Sequence, residues 1–220
     1  MKLVVATALA GLAVFGPEPT VEAVTILTNT SLTATEYDNI TGTQVGVDLV
    51  SPFSYTGSIS PDGTVTSQVF EGTGTADGYY VYVYQIKLNN PADVNFIEAL
   101  TVPFTPDPGT TSVDLGGTAA NDTSFYQGTP APTSATWASD QVGWFAPFWI
   151  AKGQTTALFG VLGPEEPPSV VIAGILDSGA SLSVAPSVYS PLPEASTLLL
   201  LGTALVGTGA LGHRRFVTHS

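Results

Sequence analysis

Tyr79-Tyr80-Val81-Tyr82-Val83-Tyr84-Gln85-Ile86-Lys87-Leu88 decides the class of the fold. Side chains alternate along a strand, so Tyr80, Tyr82, Tyr84, Ile86 and Leu88 share one face and Tyr79, Val81, Val83 and Gln85 the other. Both faces are bulky and mostly apolar, which predicts a central strand covered on both sides. A row of tyrosines is either a core face or a ladder on which sugars stack. The core reading, with hydroxyls reaching the rim, is preferred.

Working outward, strands are expected upstream at Val24 to Thr28, Gln44 to Val50, Tyr55 to Ile59 and Thr64 to Phe70. Asp62-Gly63 and Asp77-Gly78 stand between runs as hairpin turns whose residues tolerate positive φ. Downstream, a turn at Asn90-Pro91 leads to a strand at Phe96 to Val102. Pro103 to Pro132, rich in Pro, Gly, Thr and Asp, reads as a long surface connection with one short strand near Ser112 to Leu115. Further strands are expected at Gln141 to Phe145, Phe148 to Ile150 and Thr155 to Val161, with a turn at Lys152-Gly153. Pro164, Pro167 and Pro168 break the pattern before Val170 to Leu176 and a short strand at Ser181 to Val184. No window between Val24 and Ser190 sustains a helical apolar period. Many short strands between turns predict an all-β domain over residues 24–190, arranged as a two-sheet β-sandwich.

Composition removes several kinds of chemistry. The chain carries 18 Asp and Glu against 5 Lys and Arg, a net charge of −13. Lys87 and Lys152 are the only basic side chains between residues 24 and 190. Such a surface argues against nucleic acid as a partner. It is compatible with divalent cations and neutral glycans. Cysteine is absent, so no disulfide braces the domain. Both histidines, His213 and His219, lie near the C-terminus, and the two arginines stand beside them. Without His, Cys or Arg, the domain cannot run Ser-His-Asp or Cys-His catalysis or build the usual zinc and copper sites. No cofactor, metal site or enzymatic activity is expected.

The remaining candidates are few. Asp107, Asp114, Asn121 and Asp122 offer oxygens but no EF-hand-like spacing. Glu165-Glu166 reads as a solvated loop pair, and nothing singles out two carboxylates for glycoside hydrolysis. Ile175-Leu176-Asp177-Ser178-Gly179-Ala180-Ser181 resembles the active-site loop of retroviral-type aspartic proteases. That chemistry needs a second such loop, and this chain has none, so a strand running into an Asp-Ser-Gly turn is the preferred reading. Trp137, Trp144 and Trp149, with Phe145 and Phe148, are the candidate glycan-stacking rings. Trp144 and Phe145 point to opposite faces of a strand, so at least one belongs to the core, and a core role for most of the cluster is expected.

The two ends carry a different message. Lys2, the apolar run Leu3 to Phe15, Gly16-Pro17 and Val21-Glu22-Ala23 have the layout of a secretory signal peptide over residues 1–23. At the other end, Pro191-Leu192-Pro193-Glu194-Ala195 passes into a stretch without charge up to Gly212. As a helix, Ala195 to Gly212 would be about 27 Å long, near the hydrocarbon thickness of a bilayer. Ser196, Leu198, Leu201, Leu205 and Leu211 mark this span, and Arg214 and Arg215 would hold its end in the cytoplasm.

These residues resemble the PEP-CTERM sorting domain: Pro193 and Glu194 begin the tripeptide, and a Leu/Gly/Ala span and an arginine pair follow. Ala195 stands where the family has its second proline. The resemblance implies an exosortase-type transpeptidase as partner, removal of the tail near the tripeptide, and a bacterial host with an outer membrane and exopolysaccharide. Leu192-Pro193-Glu194-Ala195-Ser196 is also similar to the Leu-Pro-x-Thr-Gly signal of sortases, with both final positions different. Ser67-Gln68-Val69-Phe70 and Tyr80 to Gln85 resemble a β-domain found in front of such tails, as do Gly153-Gln154-Thr155-Thr156 and Leu176 to Ala180. That resemblance carries no assigned activity. The expectation is an exported structural or interaction protein of the cell envelope, cell surface or matrix, held in the membrane by its C-terminal helix before processing. An exopolysaccharide-binding module is the alternative, and a carboxylate-based hydrolase comes after it.

Overall fold

The computed structural model describes residues 24–191, except 91, 93, 106–107, 109–112, 114, 116–121 and 178–179. The signal peptide expected at 1–23, and the sorting tail expected over 191–220 in all but its first residue, lie outside the described residues. So do Asp107, Asp114 and Asn121. Among the described residues, no helix is long and apolar enough to cross a membrane.

In chain order the elements are β1 (Thr25–Ser31), α1 (Ala34–Ile40), β2 (Thr41–Gln44), β3 (Leu49–Tyr55), β4 (Gly63–Gly72), a 3-10 turn (Gly74–Ala76) and β5 (Tyr79–Leu88). They continue with β6 (Phe96–Pro103), β7 (Asp122–Gln127), β8 (Ser134–Ala138), β9 (Gln141–Ala151), β10 (Leu158–Pro164), β11 (Ser169–Ile172), β12 (Gly174–Leu176), β13 (Leu182–Val184) and β14 (Ser187–Ser190). The described part of the protein is therefore all-β, with one short helix.

β5 is the central strand its sequence predicts, paired antiparallel with β4 on one side and β10 on the other. Its two faces feed two separate cores. Tyr82, Tyr84, Ile86 and Leu88 join Phe53, Val65, Leu100, Trp144, Ile150 and Phe159 in the main one. Val81 and Val83 join Leu32, Ile40, Phe125 and Leu162 in a smaller one, where the α1 segment, the 3-10 turn, Val113 and Leu115 cover the sheet. The tyrosine row is core. Tyr82 and Tyr84 are fully buried, and the Tyr84 hydroxyl donates to the Tyr189 carbonyl at 2.7 Å. The Tyr82 hydroxyl is buried with no partner among the described residues, so it does not reach the rim as expected; the Tyr55 hydroxyl, on β3, is likewise buried without one.

The layers divide differently from a two-sheet sandwich. One 12-stranded sheet runs β12-β6-β9-β8-β1-β7-β10-β5-β4-β3-β13, with β2 attached to β4, and β11 and β14 form a separate ribbon. The joint is β1, antiparallel to β8 and parallel to β7. Two layers connected by such a shared strand curl into one sheet. The main core draws on both halves, from β3, β4, β5 and β10 on one side and β6, β8 and β9 on the other.

Local chemistry explains several departures from the sequence reading. α1 is an unexpected helix started by a capping box: Glu36 N–H donates to the Thr33 hydroxyl at 3.3 Å and Thr33 N–H donates to the Glu36 carboxylate at 2.7 Å. The Thr33 N–H, and after it the Thr33 hydroxyl donating to the same carboxylate at 2.8 Å, hold the Glu36 carboxyl below its ordinary range. The strand expected at Gln44 to Val50 is interrupted: Gln44 ends β2, Leu49 and Val50 begin β3, and Val45 to Asp48 form the gap between them, while Thr56 and Gly57 turn where a strand was expected. β7 crosses what was expected to be surface connection and sits deep in the sheet, between β1 and β10. Val113 and Leu115 are buried but not in a strand, and Ser112 lies outside the described residues. The expected strand Val170 to Leu176 splits at Ala173, where the chain changes partner from β14 to β6. Gly78 has the positive φ its turn requires, +82°. Gly63 does not: it is needed because a Cβ there would run into the Lys87 carbonyl and the Phe53 ring.

Candidate functional site

The three tryptophans do not form a platform. Trp144 is fully buried and Trp149 is 3% exposed, so neither indole offers a face to a sugar. Trp144 lies 5.2 Å from both Tyr84 and Phe159, centroid to centroid, and Trp149 lies 4.7 Å from Phe159. Their N–H groups are spent inside: Trp144 Nε1 donates to Ser124 Oγ at 3.0 Å and Trp149 Nε1 to the Pro130 carbonyl at 3.3 Å. Trp137 is half-buried, and its Nε1 donates to the Phe104 carbonyl at 3.1 Å. Phe145 is half-buried on the opposite side of β9 from Trp144.

The carboxylates are equally scattered. Asp177 is buried just after β12, close enough to Tyr55 to oppose ionisation of that phenol, although burial is the larger cause of its raised pKa. Ser178 and Gly179 lie outside the described residues. Glu165 is exposed in the bend after β10, beside the half-buried Glu166. Among the described residues, no three His, Cys, Asp or Glu side chains gather to hold a metal ion.

The described concavity with usable polar groups lies at one end of β5. A cleft of about 520 Å³ is lined by Ser60, Pro61, Lys87, Leu88, Asn89, Asn90 and Gly153. Three turns far apart in sequence build it: the one before β4, the one after β5 and the one after β9. Backbone bonds tie them together. Asn89 N–H donates to the Asp62 carbonyl at 2.7 Å, and Gly153 N–H donates to the Leu88 carbonyl at 3.0 Å. The Asn89 amide donates to the Pro61 carbonyl at 2.7 Å. Gly153 takes φ +77°, and a Cβ there would stand 3.3 Å from Asn90 Cβ. Glycine therefore supplies both the turn and the space.

The electrostatics of this end are set by one acid that turns inward and two lysines that do not. Asp62 is 1% exposed; its carboxylate accepts from Tyr55 N–H at 2.9 Å and from the Ser58 hydroxyl at 2.5 Å. Lys87 is exposed in the cleft wall, and Lys152 is exposed in the turn beside Gly153. Among the described residues, neither ammonium forms an ion pair. The cleft was not foreseen from the sequence; the only hint was the isolation of Lys87 and Lys152 in an otherwise acidic domain.

Comparison with protein-family models, with curated proteins and with solved structures found no match to this chain.

Proposed function

We propose that this protein is an exported structural or interaction component of a bacterial cell surface or matrix. In this reading residues 1–23 are a signal peptide, and Pro191 to Ser220 is a PEP-CTERM-like tail trimmed by an exosortase-type transpeptidase. The observation that carries it is the tail itself: Pro193-Glu194-Ala195, an uncharged Leu/Gly/Ala span, then Arg214-Arg215. The fold is compatible, because the last described strand ends at Ser190. A cut after Pro193 or Glu194 would remove none of the described elements. An acidic, cysteine-free β-domain also suits a compartment where solubility matters and disulfides are not used.

The test is the intact mass of the protein recovered from the envelope and medium of its own host. The expected form begins at Val24 and ends near Pro193 or Glu194, with any extra mass at the new C-terminus identifying the anchor. Recovery of a form that retains Arg214-Arg215 as the only stable product would sink the processing reading. It would leave a β-domain on a single membrane span.

A further inference from the structure

The cleft at the end of β5 differs in charge from the rest of the described residues. Lys87, near the end of β5, and Lys152, in the turn after β9, are 65 positions apart in the sequence and are brought to the same end of the sheet by the bonds between Gly153 and Leu88 and by the bridge between Lys87 and Thr155. They are the only basic side chains in residues 24–191 of a protein whose net charge is −13. An anion approaching any other part of the described surface meets acidic groups or neutral ones. Here it meets the Lys87 ammonium in the lining, with Lys152 exposed in the turn beside Gly153, while the nearby Asp62 carboxylate is held inside.

We propose that this cleft binds a carboxylated sugar, a uronic-acid unit of a polysaccharide. Lys87 in the wall pairs with the carboxylate as a charge-assisted donor, and Lys152 adds attraction from the adjacent turn. Ser60 and Asn90 supply a hydroxyl and an amide, which both donate and accept, the combination that ring hydroxyls need. Pro61 and Leu88 are the apolar part of the lining, and Leu88 is fully buried, so an apolar peptide side chain finds little to pack on. A volume of about 520 Å³ lies in the range of small-ligand clefts and admits one or two sugar rings. The cross-tied turns fix the walls before the ligand arrives, which lowers the ordering cost of binding. Repulsion from the acidic remainder of the surface directs an acidic polymer to this end. The proposal deepens the glycan-binding alternative and stands on the cleft alone, so its failure leaves export and tail processing untouched.

The test uses the full-length chain in mild detergent, titrated by calorimetry with trigalacturonate, with neutral maltotriose and with inorganic phosphate. Trigalacturonate should bind saturably and more weakly as salt rises. Lys87→Gln should weaken it about tenfold, Lys152→Gln less, and Lys87→Arg should restore part of the loss. Because Lys87 and Lys152 are exposed, all three variants should melt with the parent. Absence of trigalacturonate binding, or equal binding by Lys87→Gln, would overturn the proposal. Equal affinity for maltotriose would remove the role of charge, and equal affinity for phosphate would make the cleft a general anion site; either result also overturns it.

Discussion

Replacing Ser124 by alanine tests the joint of the sheet more directly than any large core deletion. Ser124 is fully buried on β7 and its Oγ accepts from Trp144 Nε1 at 3.0 Å. The single hydroxyl proton is offered to Asn29 Oδ1 or to the Gly160 carbonyl, each 3.2 Å away. One side chain thus links β7, β9, β1 and β10. Ser124→Ala removes little volume but leaves the indole N–H of a fully buried tryptophan without a partner. An unsatisfied buried donor costs about 1–3 kcal/mol, against a total stability on the order of 5–15 kcal/mol for a domain. For a domain of this size about 2 kcal/mol corresponds to a fall in Tm of roughly 4–8 °C. The assay is urea unfolding of the parent, Ser124→Ala, Trp144→Phe and the double variant, with an unchanged m-value as the check on two-state behaviour. The two changes should couple by about 1 kcal/mol or more, since removing the indole N–H removes the reason the hydroxyl is needed. Additive losses, or a Ser124→Ala loss below about 0.5 kcal/mol, would refute the argument that this hydroxyl satisfies the indole.

Gly160 lies in β10 between β5 and β7, where a Cβ would strike the Tyr82 carbonyl and stand 2.8 Å from Phe125 Cζ. Gly160→Ala should cost about 3 kcal/mol by forcing the strands apart. Gly57→Ala, at φ +100° with open space around it, should cost only about 1–2 kcal/mol of backbone strain. Urea midpoints in the reverse order would contradict the β5–β10–β7 register. The buried tyrosines predict a weakness in alkali. Burial first, then the charge of Asp38, pushes the Tyr37 phenol from 10.0 up to about 12. Tyr55 and Tyr82 are raised further, and Tyr84 is also raised well above its ordinary value, in each case chiefly by burial. The folded protein therefore holds these protons more tightly than the unfolded chain. Their contribution is complete below the ordinary tyrosine pKa and is lost as pH rises through the folded values. Urea midpoints should fall between about pH 9 and about pH 12, with phenolate absorbance appearing together with unfolding. Smooth ionisation of every tyrosine near its ordinary pKa in the folded state would rule this out.

The sequence was most readable where hydrophobicity alone specifies a strand. β5, with bulky residues on both faces, could only be central, and the structure pairs it on both sides. β7 failed the same reading because its buried positions include Thr123 and Ser124. Their place in the interior depends on a network of hydroxyl, amide and indole partners that lie far away in sequence. α1 is too short to show a helical period, although Thr33 and Glu36 at capping-box spacing announced its start. The switch at Ala173 has no local signal, since the residues on either side suit a strand whichever partner they take. The cleft was hidden for a similar reason. Ser60, Asn90 and Gly153 are ordinary turn residues until strand pairing brings three turns together.

The place of β1 has a consequence for the order of assembly. It is the first described strand to be synthesised, yet both of its neighbours, β7 and β8, are made only after β2 to β6. Asn29 donates to a carbonyl 103 positions away and accepts from a hydroxyl 95 positions away. Until those distant segments exist, β1 has nothing to pair with, and closing so long a loop delays the step that joins the two halves. The β1 segment of the growing chain thus waits for partners while five other strands are made, and it cannot hold both of its neighbours before residue 138 has been made.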